Sequence, residues 1–258
     1  KTGNFDGDVS KKMEVTVNQS VGVNQIASLP DYNRNYGNGF HATNAATFFS
    51  NWGGRIDRTP TIPHPYSTSS DPVVRASFPE FAGQEYEYRF YNSVPNFFRD
   101  GTVTNTSVDV SGTSKRLDYG VTYSNNFDQG FTPGNELNKD AFTIGGTYRL
   151  LNNLTVQGKV LFANTNVVSP PISASRGSSS GSGLVDSVFG DLFYTPTTID
   201  LMGLPFQNFD GSSAYYRGGN DIQNPRWTAA NAFNNSETRR TFTTLNVAYE
   251  PTDWLTFN

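Results

Sequence analysis

From residue 13 to residue 23 the chain alternates. Met13, Val15, Val17, Val21 and Val23 take every second position, broken only by Gln19, while Glu14, Thr16, Asn18 and Ser20 fill the places between. Side chains of an extended strand point to opposite faces in turn, so a period of two predicts a strand with one apolar and one polar face. The pattern returns at residues 106–110, then at Leu117, Tyr119, Val121 and Tyr123, and at Phe142, Ile144, Tyr148 and Leu150. It continues at Leu154, Val156, Val160 and Phe162, and at Thr243, Leu245, Val247 and Tyr249; a seventh run starts at Trp254. The first run, 13–23, has about the ten residues that a tilted strand needs to cross the hydrocarbon layer of a bilayer.

The connections sort by length. Residues 111–114, 151–153 and 250–253 read as tight polar turns, whereas 26–99 and 164–238 are long and 125–139 is of middle length. Short turns at one end and long loops at the other are the habit of outer-membrane barrels, and a soluble sandwich has no reason to segregate them. Tyr148, Tyr249 and Trp254 lie beside the short turns, where an interfacial aromatic girdle belongs. Ordinary strand packing is the competing explanation for each, since every β-sheet is rich in aromatics. Within the last long loop, 173–183 is a Ser/Gly tract, and Leu184, Val185, Val188, Phe189 and Leu192 have the spacing of a short amphipathic helix that ends before Pro196. Such a helix is expected to pack on the barrel rim. The fold class expected is therefore all-β: about seven strands of an antiparallel transmembrane β-barrel with long extracellular loops.

Composition agrees with this picture more than with a soluble enzyme. Charged residues make up 16%, against about 25% in an average domain, and Cys is absent. The absence of Cys removes disulfides, thiol catalysis and Cys-ligated metals from consideration. No apolar run approaches the roughly 18 residues of a membrane helix, and the mean hydropathy of −0.51 is low. A membrane barrel escapes that test, because only alternate positions meet lipid. The opening KTGNFDGDVSKK has no apolar signal-peptide core, which reads as a mature, truncated or cytoplasmic chain. A formal charge of −4 with no basic cluster gives no electrostatic case for nucleic acid.

Four stretches in order, LPDYNRNYGNGF at 29–40, SNWGGRID at 50–57, NFFRDG at 96–101 followed by TNTSVDVSG, and GFTPGN at 130–135, resemble the SusC/RagA-like outer-membrane transporters. The later NPRW and YEPTDWL extend the resemblance over most of the chain. No single motif is specific; the ordered set carries the likeness. It implies a plugged barrel of about 22 strands that imports oligosaccharides or peptides on energy delivered by TonB, capped by a SusD-like surface lipoprotein. It also implies that residues 1–258 are a portion of such a receptor's barrel domain, with the plug domain, the TonB box and the remaining strands outside this chain. The location implied is the outer membrane of a Gram-negative, Bacteroidota-like bacterium, in contact with its lipid.

Enzyme motifs fare poorly. GSSSG at 177–181 formally matches a nucleophile elbow around Ser179, but it sits in a Ser/Gly tract without the strand, turn and helix which that chemistry needs. His41 and His64 have no metal-ligand spacing. Glu80, Glu85 and Glu87 supply the two carboxylates a glycosidase needs, yet carboxylates in a loop are ordinarily just solvated. The sequons at Asn105 and Asn153 are expected by chance in so Asn-rich a chain. No catalysis, cofactor or metal is expected. For ligand binding the candidates are Tyr36, Trp52, Arg55, Asp57, Phe97 and Phe98, aromatic platforms and directed polar groups in the long loops; the alternative is that such motif residues fold the loop or contact the cap. The rival to an importer is a non-transport surface β protein, an adhesin or a glycan-binding sandwich. It would bury Val15, Val17, Leu117, Val121, Ile144 and Val160 against a second sheet.

Overall fold

A computed structural model describes residues 13–171, 187–217, 223–252 and 254–257. The Ser/Gly tract with Ser179, and Leu184 and Val185, lie outside the described residues. The alternating runs become β1 (Glu14–Asn24), β2 (Gly101–Thr113), β3 (Leu117–Gln129), β4 (Glu136–Leu151), β5 (Leu154–Ser169), β6 (Asn234–Thr252) and β7 (Leu255–Phe257). They form one seven-stranded antiparallel sheet in which each strand pairs with its neighbours in chain order, leaving β1 and β7 at the edges.

Register decides what each face carries. Val15, Val110, Val121, Ile144, Val160 and Thr243 lie side by side across the sheet, and the next row on that face is Val17, Val108, Tyr123, Phe142, Phe162 and Thr241. The opposite face carries Thr16, Asp109, Thr122 and Thr143 in one row and Asn18, Ser107 and Ser124 in another. Hydroxyl and amide groups bridge the strands there: Thr122 donates to Asp109 at 2.7 Å and Asn18 to Ser107 at 3.3 Å. The apolar face is not covered. Val17 is 65% exposed, Ile144 46% and Leu245 73%, and none of the residues in those two rows belongs to the buried core.

The strands are longer than the hydrophobic alternation. The connection expected at 125–139 shrinks to 130–135, because β3 and β4 continue past the last apolar row with Asn125 beside Asp140 and Asn126 beside Lys139. Backbone pairing persists where the alternation stops: Phe127 and Leu137 fall on opposite faces among polar residues, and the hydrogen-bond ladder continues regardless of the pattern. At the other end the turns are as short as expected. Ser114 closes one of them, its N–H donating to Leu117 O at 2.7 Å while its Oγ accepts from Leu117 N at 3.1 Å. Tyr148, Tyr249 and Trp254 sit at this end, Trp254 81% exposed.

The two long connections are not loose loops. They carry the chain's hydrophobic core, in which Tyr66, Tyr88, Leu192, Ile199, Leu201 and Tyr216 are almost wholly buried. Short elements shape this loop body. A ribbon pairs Gly39–Phe40 with Thr43–Asn44, and a second pairs Thr61–Pro63 with Glu85–Glu87. Helices α1 (Pro72–Ser77), α3 (Val188–Tyr194) and α4 (Pro225–Asn231) each begin at a polar cap: Asp71, Ser187 and Asn224 accept from Val73, Gly190 and Arg226 N–H respectively. A fourth, α2 (Ser93–Phe97), has no such cap. Helix α3 starts after Ser187, and it lies inside the loop body rather than on a rim, for Val188 and Leu192 have no exposure.

Asn38 ties the two connections together. It is fully buried, its Nδ2 donates to Ala45 O at 3.1 Å and Ala46 O at 2.9 Å, and its Oδ1 accepts from Thr198 Oγ1 at 2.8 Å. Its carbonyl accepts from the Tyr88 hydroxyl at 2.9 Å. Gly53 lets the backbone close on this point: a Cβ there would lie 2.3 Å from Asn38 O.

His64 is buried, stacked on Phe81 with ring centres 3.9 Å apart, and its Nδ1 accepts from Tyr66 N. Burial pulls its pKa down from the usual 6.5 to about 4, against a weaker upward pull from Glu80. The unfolded chain therefore takes up the proton first. The stabilisation from keeping His64 neutral is complete above about pH 6.5 and is lost as pH falls toward 4. Limited proteolysis of the loop body is expected to accelerate over that interval and to stay flat above it, with His64→Gln showing a shallower dependence. An equally steep acid dependence in the variant would refute this assignment.

Candidate ligand cleft

Three segments of the loop body meet at a cleft of about 540 Å³: the stretch around Arg34, residues 89–96 leading into α2, and the stretch from Asp200 to Met202. A smaller hollow adjoins it and shares Arg34, Phe90, Tyr91, Asn92 and Ser93. The walls are held by hydrogen bonds between segments far apart in sequence. Ser93 Oγ donates to Ile199 O at 2.6 Å and accepts from Leu201 N at 3.0 Å. Tyr91 N donates to Thr197 O at 2.8 Å, and Asp200 N donates to the Tyr86 hydroxyl at 2.7 Å.

The far wall is braced from behind by Arg226. Its Nη1 donates to the carbonyls of Leu201, Met202 and Leu204 at 3.0, 3.1 and 2.9 Å, while its Cζ lies 4.5 Å from the centre of the Phe206 ring. Burial draws its pKa below the ordinary arginine value. The motif NPRW is thus a structural device: Asn224 caps α4, Pro225 opens it, Arg226 braces the wall and Trp227 Nε1 donates to Gly211 O at 2.8 Å.

Inside the cleft the side chains are aromatic, basic and amide-bearing. Arg34 Cζ lies 4.9 Å from the centre of Phe90, and Arg89 Cζ 4.4 Å from that of Tyr91. Arg89 Nε is paired with Glu87 at 2.7 Å. Burial raises the pKa of Tyr91, and pushes that of Tyr88 behind it up to about 12, so both hydroxyls keep their protons.

The six sequence candidates do not come together here. Tyr36 and Arg55 form an isolated bridge, and Arg55 grips Asp57 through two hydrogen bonds of 2.9 and 2.6 Å at the surface. That pairing lowers the Asp57 pKa and raises that of Arg55. Trp52 is 61% exposed, stacked on His41 and edge-on to Phe40, in an aromatic surface patch continued by Phe48 and Phe49. Phe97 is 3% exposed and belongs to the core, while Phe98 is half-buried between Phe131 and Phe189. Arg99 of the same motif holds the 130–135 turn, donating from Nε to Gly130 O at 3.1 Å. The motif residues mostly fold the loops, and the cleft residues Arg34, Arg89, Asn92 and Asp200 were not singled out by the sequence. The crowding of aromatic and basic residues in YEYRFYN at 86–92 could have found Arg89 and Asn92; Arg34 lies inside the 29–40 motif, and nothing local marks Asp200.

The glycosidase reading gains no support from the geometry: Glu85 and Glu87 lie exposed on one ribbon strand, and Glu87 is engaged by Arg89. Among the described residues no cluster of His, Asp and Glu is arranged to hold a metal ion.

No protein-family model matches the chain, and no curated protein matches it. Among solved structures it is similar to a chain of the RagAB peptide importer in its "closed-closed" state, with a TM-score of 0.60 at 14% identity over 97% of this chain. The match takes in 27% of that chain, so residues 1–258 correspond to about a quarter of its length. At this identity the likeness is one of fold.

Proposed function

We propose that the chain forms part of the wall and outer vestibule of a TonB-dependent β-barrel importer in a Gram-negative outer membrane, taking up oligosaccharides or peptides with a SusD-like lipoprotein as its partner. The observation that carries this reading is the uncovered apolar face, continuous in register from β1 to β6. In water so large an apolar surface would drive association; against hydrocarbon it is at rest. The stretch from Thr241 to Tyr249, at ~3.3 Å per residue and a tilt of about 40°, rises roughly 20 Å, near the ~25 Å apolar belt of such barrels.

Above the belt the same face, Phe127 apart, turns polar, with Tyr123 donating to Asp140 at 2.7 Å and Asn125 to Asn138 and Asp140, each at 2.9 Å. This is a surface suited to lipid headgroups. The polar face would line the lumen, and the loop body joins the sheet at the end away from the short turns, where a vestibule belongs. Its exposed aromatics around Trp52 offer apolar area to a protein partner. An adhesin or glycan-binding sandwich would need a second layer over the apolar belt, and among the described residues nothing covers it. Energy coupling through TonB would fall to parts of the protein beyond this chain.

The chain has no Cys, which makes single labels clean. Nitroxides at Ile144→Cys and Val160→Cys, in the complete protein reconstituted in liposomes, are expected to collide more with oxygen than with a nickel chelate. Labels at Thr143→Cys and Lys159→Cys are expected to do the reverse. Equal accessibility at the two sets would end the membrane reading.

A further inference from the structure

Oxygen-bearing side chains stand at the corners of a small grid on the outward face, just above the apolar belt. On β4 and β5, Asn138 lies beside Asn166 and Asp140 beside Asn164. Cross-strand neighbours on one face are about 5 Å apart at Cβ, and residues two apart along a strand about 7 Å, so the tips of all these side chains can converge. The Oδ1 atoms of Asn164 and Asn166 are shut off from solvent and accept no hydrogen bond. A buried acceptor without a donor is costly and calls for a partner, an ion or a water.

The surroundings favour an ion. Asp140 Oδ1 accepts from the Tyr123 hydroxyl at 2.7 Å and from Asn125 Nδ2 at 2.9 Å, while its Oδ2 accepts from none of the described residues. The same Asn125 nitrogen donates to Asn138 Oδ1 at 2.9 Å, so the Asn138 amide and the carboxylate share a donor and lie close together. Arg239, beside Asn164 on β6, gives its hydrogen bonds to Glu237 at 2.9 and 2.8 Å. Lys139 falls on the opposite face. The grid thus gathers one carboxylate and three amide oxygens, and the neighbouring cations of the sheet are engaged elsewhere or turned away.

We infer that this grid binds a divalent cation of calcium's kind. Calcium takes about six to eight hard oxygens from carboxylates, amide carbonyls and water at ~2.3–2.6 Å and tolerates uneven geometry, whereas magnesium demands a tight octahedron and sheds water reluctantly. A donor set of oxygen alone, without sulfur or imidazole, does not suit zinc or copper. Asp140 Oδ2 and the oxygens of Asn164 and Asn166 coordinate the ion, Asn138 Oδ1 closes the last corner, and water completes the shell. A single carboxylate makes a weak site, with a Kd on the order of 10⁻⁴–10⁻³ M. The site stands on these oxygens and goes beyond the importer reading.

Terbium luminescence of the complete protein, freed of metal by a chelator and held in detergent, tests this, because the Tyr123 hydroxyl bound to Asp140 places a sensitising ring beside the ion. A saturable emission excited through tyrosine is expected, displaced by calcium at least tenfold more readily than by magnesium. Tyr123→Phe should dim it at least fivefold. Asp140→Asn and Asn164→Ala should each weaken terbium at least tenfold, while Asp128→Asn, which alters a carboxylate on the opposite face, should leave it unchanged. Asp140 and Asn164 are half-buried, so both variants should keep the wild-type protease pattern without metal; should they not, the Tyr123→Phe dimming decides alone. No saturable emission, emission that survives Tyr123→Phe, or an affinity indifferent to Asp140→Asn would each overturn the assignment. Such a failure with the nitroxide pattern intact removes the ion and leaves the barrel.

Discussion

Ile144→Arg should destabilise the membrane-folded protein by about 2–4 kcal/mol, the toll of a cation near the bilayer midplane on the lipid side of a barrel. Ile144 sits in the middle of the apolar face, flanked in register by Val121 and Val160 and 46% exposed. If that face met water, arginine there would be nearly neutral and would improve solubility, so the sign of the effect separates the two environments. Denaturant titration of protein refolded into phosphatidylcholine vesicles measures it, with Thr143→Arg on the polar face as the control, expected within about 1 kcal/mol of wild type. A neutral Ile144→Arg would contradict the outward assignment of the whole row.

Asn38→Leu should cost on the order of 4 kcal/mol, and the loss should be confined to the loop body. The substitution keeps the volume but takes the Asn38 amide from the half-buried carbonyls of Ala45 and Ala46 and leaves the fully buried Thr198 hydroxyl without its acceptor. Tyr88→Phe, which removes one hydrogen bond to the Asn38 carbonyl, should cost about 1–2 kcal/mol. Limited proteolysis is expected to open residues 26–99 and 187–233 in Asn38→Leu while the far-ultraviolet signal of the sheet persists. An unchanged cleavage pattern would show that Asn38 does not clasp the two connections.

The strands were legible because period two survives wherever one face is apolar and the other polar, as in Val15, Val17, Val21 and Val23. Their true ends were not. Past Tyr123 and Phe142 the alternation breaks up, with Phe127 and Leu137 on opposite faces among polar residues, so pairs such as Asn126 with Lys139 leave no trace in hydrophobicity. The loop body was invisible for a different reason. Its core gathers Tyr66, Tyr88 and Val94 from one connection with Leu192, Ile199 and Tyr216 from the other, and no local period records contacts made across more than a hundred residues. The cleft shares this origin, since Arg34, Asn92 and Asp200 become neighbours only once both connections have folded. The six binding candidates are scattered by the fold, Phe97 in the core, Arg55 paired with Asp57 at the surface and Trp52 exposed, while Arg99 and Arg226, which were not among them, hold a turn and a wall.

The Asn38 clasp also sets an order of assembly. Asn38 meets Thr198 only after β2, β3, β4 and β5 have been made between them, and those four strands are joined by turns short enough to pair as soon as they emerge. Until the segment around Thr198 arrives, Tyr66 can pack against Phe78 and Phe81 of its own connection, but the part of the core contributed by Leu192, Ile199 and Tyr216 is missing. The first connection is therefore the stretch most in need of a chaperone during folding, and a chain that stalls after β5 would be the species most prone to aggregate.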